Sequence, residues 1–203
     1  MQRLILSGAV LALSACGGGG APEVSVDPSA AWQLAEDASR LAFVSIKADE
    51  FAETHTFTSL DGSVNAEGRA IVTIDLNTVE TNVDIRNERM RQMLFEVAQF
   101  PEATISADIP MDSLTQMDIG TRTRLDLPLN VNLHGLEAVF DADIYVTRIA
   151  ARKVLVETAS PVLTTAYDFG LESGVEALRD VAGLPRISPA VPVTVSFVFE
   201  QPS

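Results

Sequence analysis

The sequence contains a single cysteine, Cys16, and its surroundings are those of a residue that acquires a lipid. Arg3 precedes an apolar run at residues 4–13, and Leu13-Ser14-Ala15 leads into the cysteine and four glycines. Small residues here let a peptidase reach the backbone, and the apolar run is too short to span the roughly 30 Å hydrocarbon layer. We therefore predict a signal peptide at residues 1–15 and acylation of Cys16. An ordinary signal peptide with an incidental cysteine is the alternative.

The other residues whose side chains could take part in catalysis or metal binding form no catalytic motif. The two histidines, His55 and His134, have no partners at the spacing of a zinc helix, and the sequence has neither a Gly-x-Ser-x-Gly elbow nor a glycine-rich phosphate loop. Asp141 and Asp143 could share one strand face, and a glycoside hydrolase needs two such carboxylates across a groove. With 28 acidic residues in the chain, a solvated face is the preferred interpretation of this pair. We predict no catalytic residue, no metal site and no cofactor.

Charge narrows the range of partners. Loss of residues 1–15 would remove Arg3 and leave 13 basic against 28 acidic residues, a formal net charge of −15. Such a surface is a poor partner for nucleic acid or a bare anionic membrane, so we expect membrane contact through acyl chains. Residues 16–29 are rich in Gly, Ala and Pro and predict a flexible tether after the lipidated cysteine. Residues 30–201 then form one domain without a disulfide.

The elements of this domain are mainly strands, because apolar residues recur at every second position. The clearest case runs from Thr121 to Leu133, and His134-Gly135 then turns the chain back into a second alternating run at residues 138–147. Asp61-Gly62 predicts another tight turn. The remaining predicted strands are Ser39–Lys47, Thr54–Leu60, Val64–Leu76, Ala103–Ile109, Val154–Ala159 and Val191–Glu200.

Two segments have helical spacing, Asn87–Phe95 and Ser173–Val181, with Ser173 as the N-cap of the second and Gly183 as its end. About eight antiparallel strands with one apolar face bury that face and remove their edges by closing into a barrel. We predict a mainly β fold, a single eight-stranded antiparallel barrel with two short helices. A sandwich is the alternative, and a barrel of this size is either filled by side chains or has room for one elongated ligand.

Aromatic residues on the strands are the candidates for the pore lining. We predict a ligand-contacting role for Phe43, Phe57, Phe140 and Phe197, with His55 beside Phe57 on the same strand. A packed core gives the same pattern and stays open as an explanation. Ser39–Lys47 is apolar on both faces, which fits a strand between a helix and a lipid-filled lumen, or a strand over a dry core.

The order of these pieces resembles the YceI-like family of bacterial periplasmic, lipocalin-like barrels. The similarity spans nearly the whole predicted domain, although no single piece is specific. The matching pieces are Trp32, Ser39 to Phe43, Phe57 before Asp61-Gly62, Ile74 to Thr81, Arg86 with the helix into Leu94-Phe95, Phe100 to Thr104, Leu127 to Gly135, Asp168-Phe169-Gly170 and Val191-Pro192-Val193.

The resemblance implies a lipocalin-like barrel with a long apolar pore for an isoprenoid or fatty chain. Lys47 departs from the family pattern, since many members have a histidine near this point. Head-group recognition is therefore expected to differ, and Lys47 could pair with an anionic head group, although a solvated lysine at a strand end is the simpler interpretation.

Three hypotheses follow. The first is a lipid-anchored carrier or store for a long-chain isoprenoid or fatty amphiphile. The second is an envelope interaction or structural protein with a side-chain-filled barrel and an unknown protein partner. The third is a hydrolase using Asp141 and Asp143. We expect a location on the periplasmic side of the cell envelope, and Gly17 after the lipidated cysteine favours the outer membrane.

Overall fold

The computed structural model describes residues 30–48 and 50–202. The predicted signal peptide, Cys16 and the tether at residues 16–29 lie outside these residues. The described part of the chain has no helix long and apolar enough to cross a membrane.

Within the described ranges, twelve strand segments form one sheet in which all neighbours are antiparallel. The segments are β1 Trp32–Leu34, β2 Arg40–Lys47, β3 Phe51–Phe57, β4 Leu60–Val64, β5 Arg69–Asp75, β6 Val79–Glu80, β7 Glu102–Asp108, β8 Arg122–Leu133, β9 Leu136–Ala150, β10 Lys153–Thr158, β11 Val162–Thr165 and β12 Ala190–Glu200.

Four pairs of these segments each continue one strand across a break. β1 and β2 both pair with β12 and form one strand path, and β10 and β11, which also pair with β12, form another. β4 pairs with β1 and β3 pairs with β2, so β3 and β4 form the third path. β5 pairs with β4 and β6 pairs with β3, so β5 and β6 form the fourth. The twelve segments are therefore eight strand paths. Pairing of β1 with β12 closes the ring. The predicted eight-stranded antiparallel barrel is confirmed.

In the described part of the chain, three α-helices accompany the barrel: α1 Asp84–Arg89, α2 Met111–Leu114 and α3 Glu172–Ala182. α1 continues into a π-helical turn, Met90–Leu94, where the Phe95 N–H donates to the Met90 carbonyl five residues back at 2.9 Å. The two predicted helices correspond to α1 with this turn and to α3. Gly183 ends α3 with a φ of +63°, as predicted, but Leu171 and not Ser173 holds the N-cap position. α2 is a single turn and was not predicted.

The prediction of a turn at Asp61-Gly62 is wrong, because both residues lie inside β4. Gly62 serves a different purpose there: a Cβ at this position would lie 2.9 Å from the Ile71 carbonyl oxygen of β5. The turn between β4 and β5 instead lies around Gly68, which has a φ of +89°. The Asn65 side chain supports it by accepting from the Arg69 N–H at 2.7 Å. An Asp-Gly pair in a strand can thus reflect close backbone approach instead of a turn.

The two ends of the barrel differ. At one end, here called the helix end, α3 packs on the Met90–Leu94 turn, so that a Cβ on Gly174 would lie 2.6 Å from the Met93 carbonyl oxygen. At the other, the terminal end, α2 follows β7, and the first and last parts of the described chain approach each other. There the Gln201 side-chain amide donates to the Ala30 carbonyl at 3.1 Å.

Candidate functional site

The barrel encloses an apolar cavity of about 290 Å³. Its lining follows the alternation read from the sequence, since one face of β8 and one face of β12 turn inward. The residues contributed by these two strands are Leu127, Leu129, Val131, Leu133, Val191, Val193, Val195, Phe197 and Phe199. Threonines are the most polar of the described lining residues, and no described lining residue has an ionisable side chain. A wall of this kind offers burial but few hydrogen bonds.

The cavity volume bears on the choice between a container and a solid core. An engineered apolar cavity of about 150 Å³ stays dry and binds benzene, so the space here is about twice as large. The interior of the barrel is therefore not filled by its side chains. The geometry favours an interior that can hold an apolar ligand over the alternative of a side-chain-filled barrel.

Three of the six predicted ligand-contacting residues lie in the cavity wall: Phe43, Phe57 and Phe197. The Phe43 and Phe57 rings stack at 5.4 Å, and Phe57 meets Phe95 at 5.8 Å. Their burial and position make contact with a ligand possible, and their binding role stays a prediction.

Phe140, His55 and Lys47 lie outside the described cavity wall, and their binding role stays a prediction. Phe140 lies toward the helix end of β9, where the 3-10 turn Ala166–Phe169 covers it and the Phe140 and Phe169 rings are 6.0 Å apart. His55 and Lys47 belong to a polar cluster beyond Phe43.

Irregular segments contribute lining residues that alternation could not identify. Leu94 comes from the π-helical turn and Phe95 directly follows it, while Met111 and Leu114 come from α2 and Val175 from α3. Such segments have no two-residue period, so their inward side is set by tertiary packing. The sequence signals for these residues are the helical apolar spacings of Asn87–Phe95, which ends at Leu94 and Phe95, and of Ser173–Val181, which includes Val175.

The polar cluster continues the inward faces of β2 and β3 past the cavity. Along β2 the face reads Phe43, Ser45, Lys47, and along β3 it reads Phe57, His55, Glu53. Glu53 Oε2 accepts from Lys47 Nζ at 2.5 Å and from Arg86 Nη1 at 2.7 Å. Two cations thus share one carboxylate oxygen, and we call Lys47, Glu53, Arg86 and His55 the basic cluster.

α1 positions Arg86 through Thr81. The Arg86 Nε donates to Thr81 Oγ1 at 2.8 Å, and Nη2 donates to the Thr81 carbonyl at 2.6 Å. Asn87 Oδ1 in turn accepts from the Thr81 N–H at 2.9 Å and hydroxyl at 2.6 Å. Thr81 and Asn87 are both buried, so the guanidinium is fixed by a satisfied network.

Two pKa values in the basic cluster are displaced. The hydrogen bond from Lys47, followed by the charge of Arg86, holds the pKa of Glu53 below its ordinary value of 4.5 despite partial burial. Burial lowers the pKa of His55 below 6.5, and the Arg86 charge lowers it further. Glu53 is therefore ionised and His55 neutral near pH 7.

His55 is 3 % exposed and only partly satisfied. Its Nε2 lies 2.8 Å from Ser45 Oγ, whereas the buried Nδ1 has no hydrogen-bond partner among the described residues. Its ring also lies 5.2 Å from that of Phe43. His55 is thus the member of the basic cluster that contacts Phe43 of the cavity wall.

The hydrolase hypothesis requires Asp141 and Asp143 to lie in one cleft, and the structure does not place them there. Asp141 and Asp143 alternate with Ala142 and Ile144, which face inward, so both acids lie on the outer face of β9. Asp143 pairs with Arg124, and this lowers its pKa. No group of three or more acidic, histidine or cysteine side chains is placed to hold a metal ion in the described residues.

Comparison with known proteins places the fold. The profile of the YceI-like domain matches residues 32–199. A polyisoprenoid binding domain from Saccharophagus degradans, implicated in plant cell wall breakdown, has 38% sequence identity to this chain and a TM-score of 0.84. That match covers 85% of this chain and 99% of the other.

More distant structures share the fold alone. Burkholderia cenocepacia BcnA has 14% identity and a TM-score of 0.63, with coverage of 81% of this chain and 98% of its own. The Campylobacter jejuni YCEI protein has 12% identity and a TM-score of 0.54, covering 73% and 85% respectively. No curated protein matches the chain.

Proposed function

The chain belongs to the YceI-like domain family, and from this we propose that it is a lipid-anchored binding protein of the cell envelope. Its barrel holds a long-chain apolar ligand, a polyisoprenoid or a fatty amphiphile, for transport or storage. It performs no catalysis. Cys16 carries the anchor, and residues 1–15 are removed as the signal peptide.

The observation that carries this proposal is the open, apolar interior. Each CH₂ group moved from water into such a cavity contributes about 0.8 kcal/mol, so affinity grows with chain length without any directional contact. A wall without ionisable side chains also disfavours polar ligands, because their buried groups would lose hydrogen bonds to water. The 38% identical Saccharophagus domain, described as polyisoprenoid binding, supports the same ligand class.

The anchor would keep the container near its source of ligand. The bond from Gln201 to Ala30 fixes the start of the described chain at the terminal end of the barrel. The tether from Gly17 to Ser29 spans at most about 45 Å when fully extended. A barrel held within that distance of a bilayer could load from it directly. Gly17 after the lipidated cysteine favours the outer membrane, on its periplasmic side.

Ligand identification tests the binding function. The full chain carrying Cys16→Ser, purified without detergent, is extracted with organic solvent, and the extract is analysed by mass spectrometry. We expect a prenyl or fatty chain in near-stoichiometric amount. An empty barrel that also fails to bind added geranylgeraniol would refute the proposal.

Cell fractionation tests the anchor separately. The wild-type protein should sediment with membranes, whereas Cys16→Ser should not, and the variant should still bind geranylgeraniol. Retention of Cys16→Ser in the membrane fraction would show that another part of the chain carries the attachment.

A further inference from the structure

Pairing between β7 and β8 is incomplete toward the terminal end of the barrel. β7 pairs with β8 only at residues 104–106, which lie opposite residues 130–132. Residues 122–129 of β8 pair with β9 but not with β7. Pro128 lies in this stretch and has no N–H to donate to a neighbouring strand. In the described chain, one edge of β8 is therefore left without a partner strand near the terminal end.

The segment at residues 109–121, here called the α2 segment, lies across this gap. Met111 packs against the core cluster that contains Trp32, and Leu114 packs against the cluster that contains Leu127 of β8. Met111 and Leu114 also line the cavity. No backbone hydrogen bond joins the α2 segment to β8 among the described residues. A chain passing between α2 and β8 would thus displace apolar contacts and break no strand pairing.

The α2 segment is fixed near its two ends. At the start, the Ile109 N–H donates to the Gly68 carbonyl at 2.8 Å, and at the other end the Gly120 N–H donates to the Arg148 carbonyl at 2.7 Å. The Arg148 guanidinium also donates to the Met117 carbonyl at 2.8 Å. A short helix held by apolar contacts between two fixed ends has the properties of a segment that opens locally.

Two isoleucines are exposed where the α2 segment joins β8. Ile119 is 63% exposed and Ile149 is 43% exposed. Ile119 precedes Gly120 and Ile149 follows Arg148, so the two residues flank the hydrogen bond from Gly120 to Arg148. Neither belongs to the described cavity wall. They form an exposed apolar pair beside the segment that covers the gap.

The terminal end is electrically neutral although the protein is acidic. Five basic and five acidic residues lie in the chain segments that form this end, residues 65–69, 108–122, 148–153 and 198–202. The two helical segments of the helix end, residues 76–100 and 165–188, carry five basic and eight acidic residues. Anionic lipids give a membrane a negative surface potential, so the terminal end meets less repulsion at a bilayer than the helix end does.

The position of the tether also selects the terminal end. The bond from Gln201 to the Ala30 carbonyl holds the start of the described chain there. Residues 16–29 precede it, and in the proposed function Cys16 is the lipid anchor. The end of the barrel that bears the exposed isoleucines is therefore the end closest along the chain to the bilayer.

We infer that the terminal end docks on a lipid bilayer through Ile119 and Ile149, and that the hydrocarbon chain of the ligand enters the cavity from the bilayer between α2 and β8. This inference rests on the proposed function and adds the docking face and the loading route. The two isoleucines enter the boundary between head groups and acyl chains. The ligand then passes Met111 and Leu114 and reaches the cavity without crossing water.

Site-specific labelling tests the docking face. Cys16 is the only cysteine, so the full chain carrying Cys16→Ser and Ile119→Cys has one thiol for a nitrobenzoxadiazole label. An N-terminal histidine tag holds this protein on phosphatidylcholine vesicles that contain a nickel-chelating lipid, so the test does not depend on acylation. We expect several-fold stronger and blue-shifted emission on vesicles. Ile85→Cys is the matched control, since Ile85 is 58% exposed on α1 at the helix end, and its label should stay in water.

Ligand transfer tests the role of the isoleucines. Vesicles loaded with geranylgeraniol are mixed with the untagged Cys16→Ser chain, and the rate of transfer to the protein is measured. Combining Ile119→Ser with Ile149→Ser should slow transfer about tenfold, because two apolar side chains no longer enter the bilayer. Affinity for geranylgeraniol in solution should not change. Val139→Ser with Leu163→Ser is the control, because these exposed residues lie outside the described cavity wall and away from the α2 segment.

Loosening the α2 segment tests the route. Arg148→Gln removes the bond to the Met117 carbonyl and should accelerate transfer from vesicles, the direction opposite to that of the isoleucine variants. Arg152→Gln removes a guanidinium that contacts the Pro202 carbonyl instead, and its transfer rate should equal that of the wild type.

The outcomes separate docking, route and binding. A label response that is equal at residues 119 and 85, confined to residue 85 or absent at both overturns docking by the terminal end, as does a transfer rate that the two serine substitutions leave unchanged. A rate unchanged in Arg148→Gln overturns the passage beside α2. All of these results leave the apolar container standing while Cys16→Ser binds geranylgeraniol in solution, and loss of that binding overturns the proposed function itself.

Discussion

Ala70 of β5 and Ala107 of β7 are direct cross-strand partners, and both side chains face the cavity. Two residues with a single methyl group each keep this part of the wall thin. The space in the barrel thus depends on small residues as much as on the large apolar residues around it. It is also the simplest place at which to close the cavity.

Ala107→Phe should fill part of the cavity and lower the affinity for geranylgeraniol by about tenfold or more, since about 1.4 kcal/mol of lost burial suffices for that factor. Titration of the purified protein measures it. Ser106→Phe, on the opposite face of β7, is the matched control and should leave the affinity unchanged. Equal losses in both variants would indicate a disturbed strand instead of an occupied cavity.

The inward-facing side chains are predictable from the sequence where one face of a long strand is buried. The alternation in β8, β9 and β12 specified which side chains point inward, because a strand has a strict two-residue period. It could not show how far along the strand the cavity extends. Phe140 has the same orientation as Ile144, yet it packs on Phe169, and only Ile144 lines the cavity.

The basic cluster shows a different limit. Lys47 departs from the family pattern, but its partners come from β3 and α1, at Glu53 and Arg86. No local pattern brings residues 47, 53 and 86 together, since their contact follows from barrel closure. The break between β10 and β11 cannot be predicted from the sequence either, because a short strand segment has too few residues to show a two-residue period of apolar side chains.

Arg148→Gln should loosen the segment that covers the cavity at the terminal end. The Arg148 guanidinium donates to the carbonyls of Met117 at 2.8 Å and Ala151 at 2.7 Å. Charged hydrogen bonds of this kind are worth about 1.5–3 kcal/mol each. We expect faster amide hydrogen exchange in residues 111–121 and a lower free energy of unfolding.

Arg152→Gln is the control for Arg148→Gln, because Arg152 donates to the Pro202 carbonyl at 2.9 Å from an exposed position. Its exchange pattern in residues 111–121 should match that of the wild type. Unchanged exchange in Arg148→Gln would mean that α2 is held by its apolar contacts alone.

Gly174→Ala should destabilise the protein although alanine favours helices. A Cβ here would lie 2.6 Å from the Met93 carbonyl oxygen and 2.9 Å from Leu94 Cα, so α3 must move off the π-helical turn. We expect a loss of about 1–3 kcal/mol, which outweighs the helix-propensity gain of about 1 kcal/mol. Denaturant unfolding measures it, with Ser173→Ala as the neighbouring control. A gain in stability would show that the two elements can separate without cost.

The displaced pKa of His55 predicts an acid-sensitive component of stability. Burial and the Arg86 charge place the folded-state pKa below the unfolded value of about 6.5, so the unfolded chain binds the proton first. Wild-type stability should therefore fall as the pH decreases below about 6.5, through the folded-state pKa, and this loss should be smaller in His55→Gln. Unfolding free energies at about pH 7.5 and about pH 5.5 test the difference, since carboxylates titrate mostly at lower pH. Parallel stability curves for wild type and His55→Gln would contradict a neutral, buried imidazole beside Arg86.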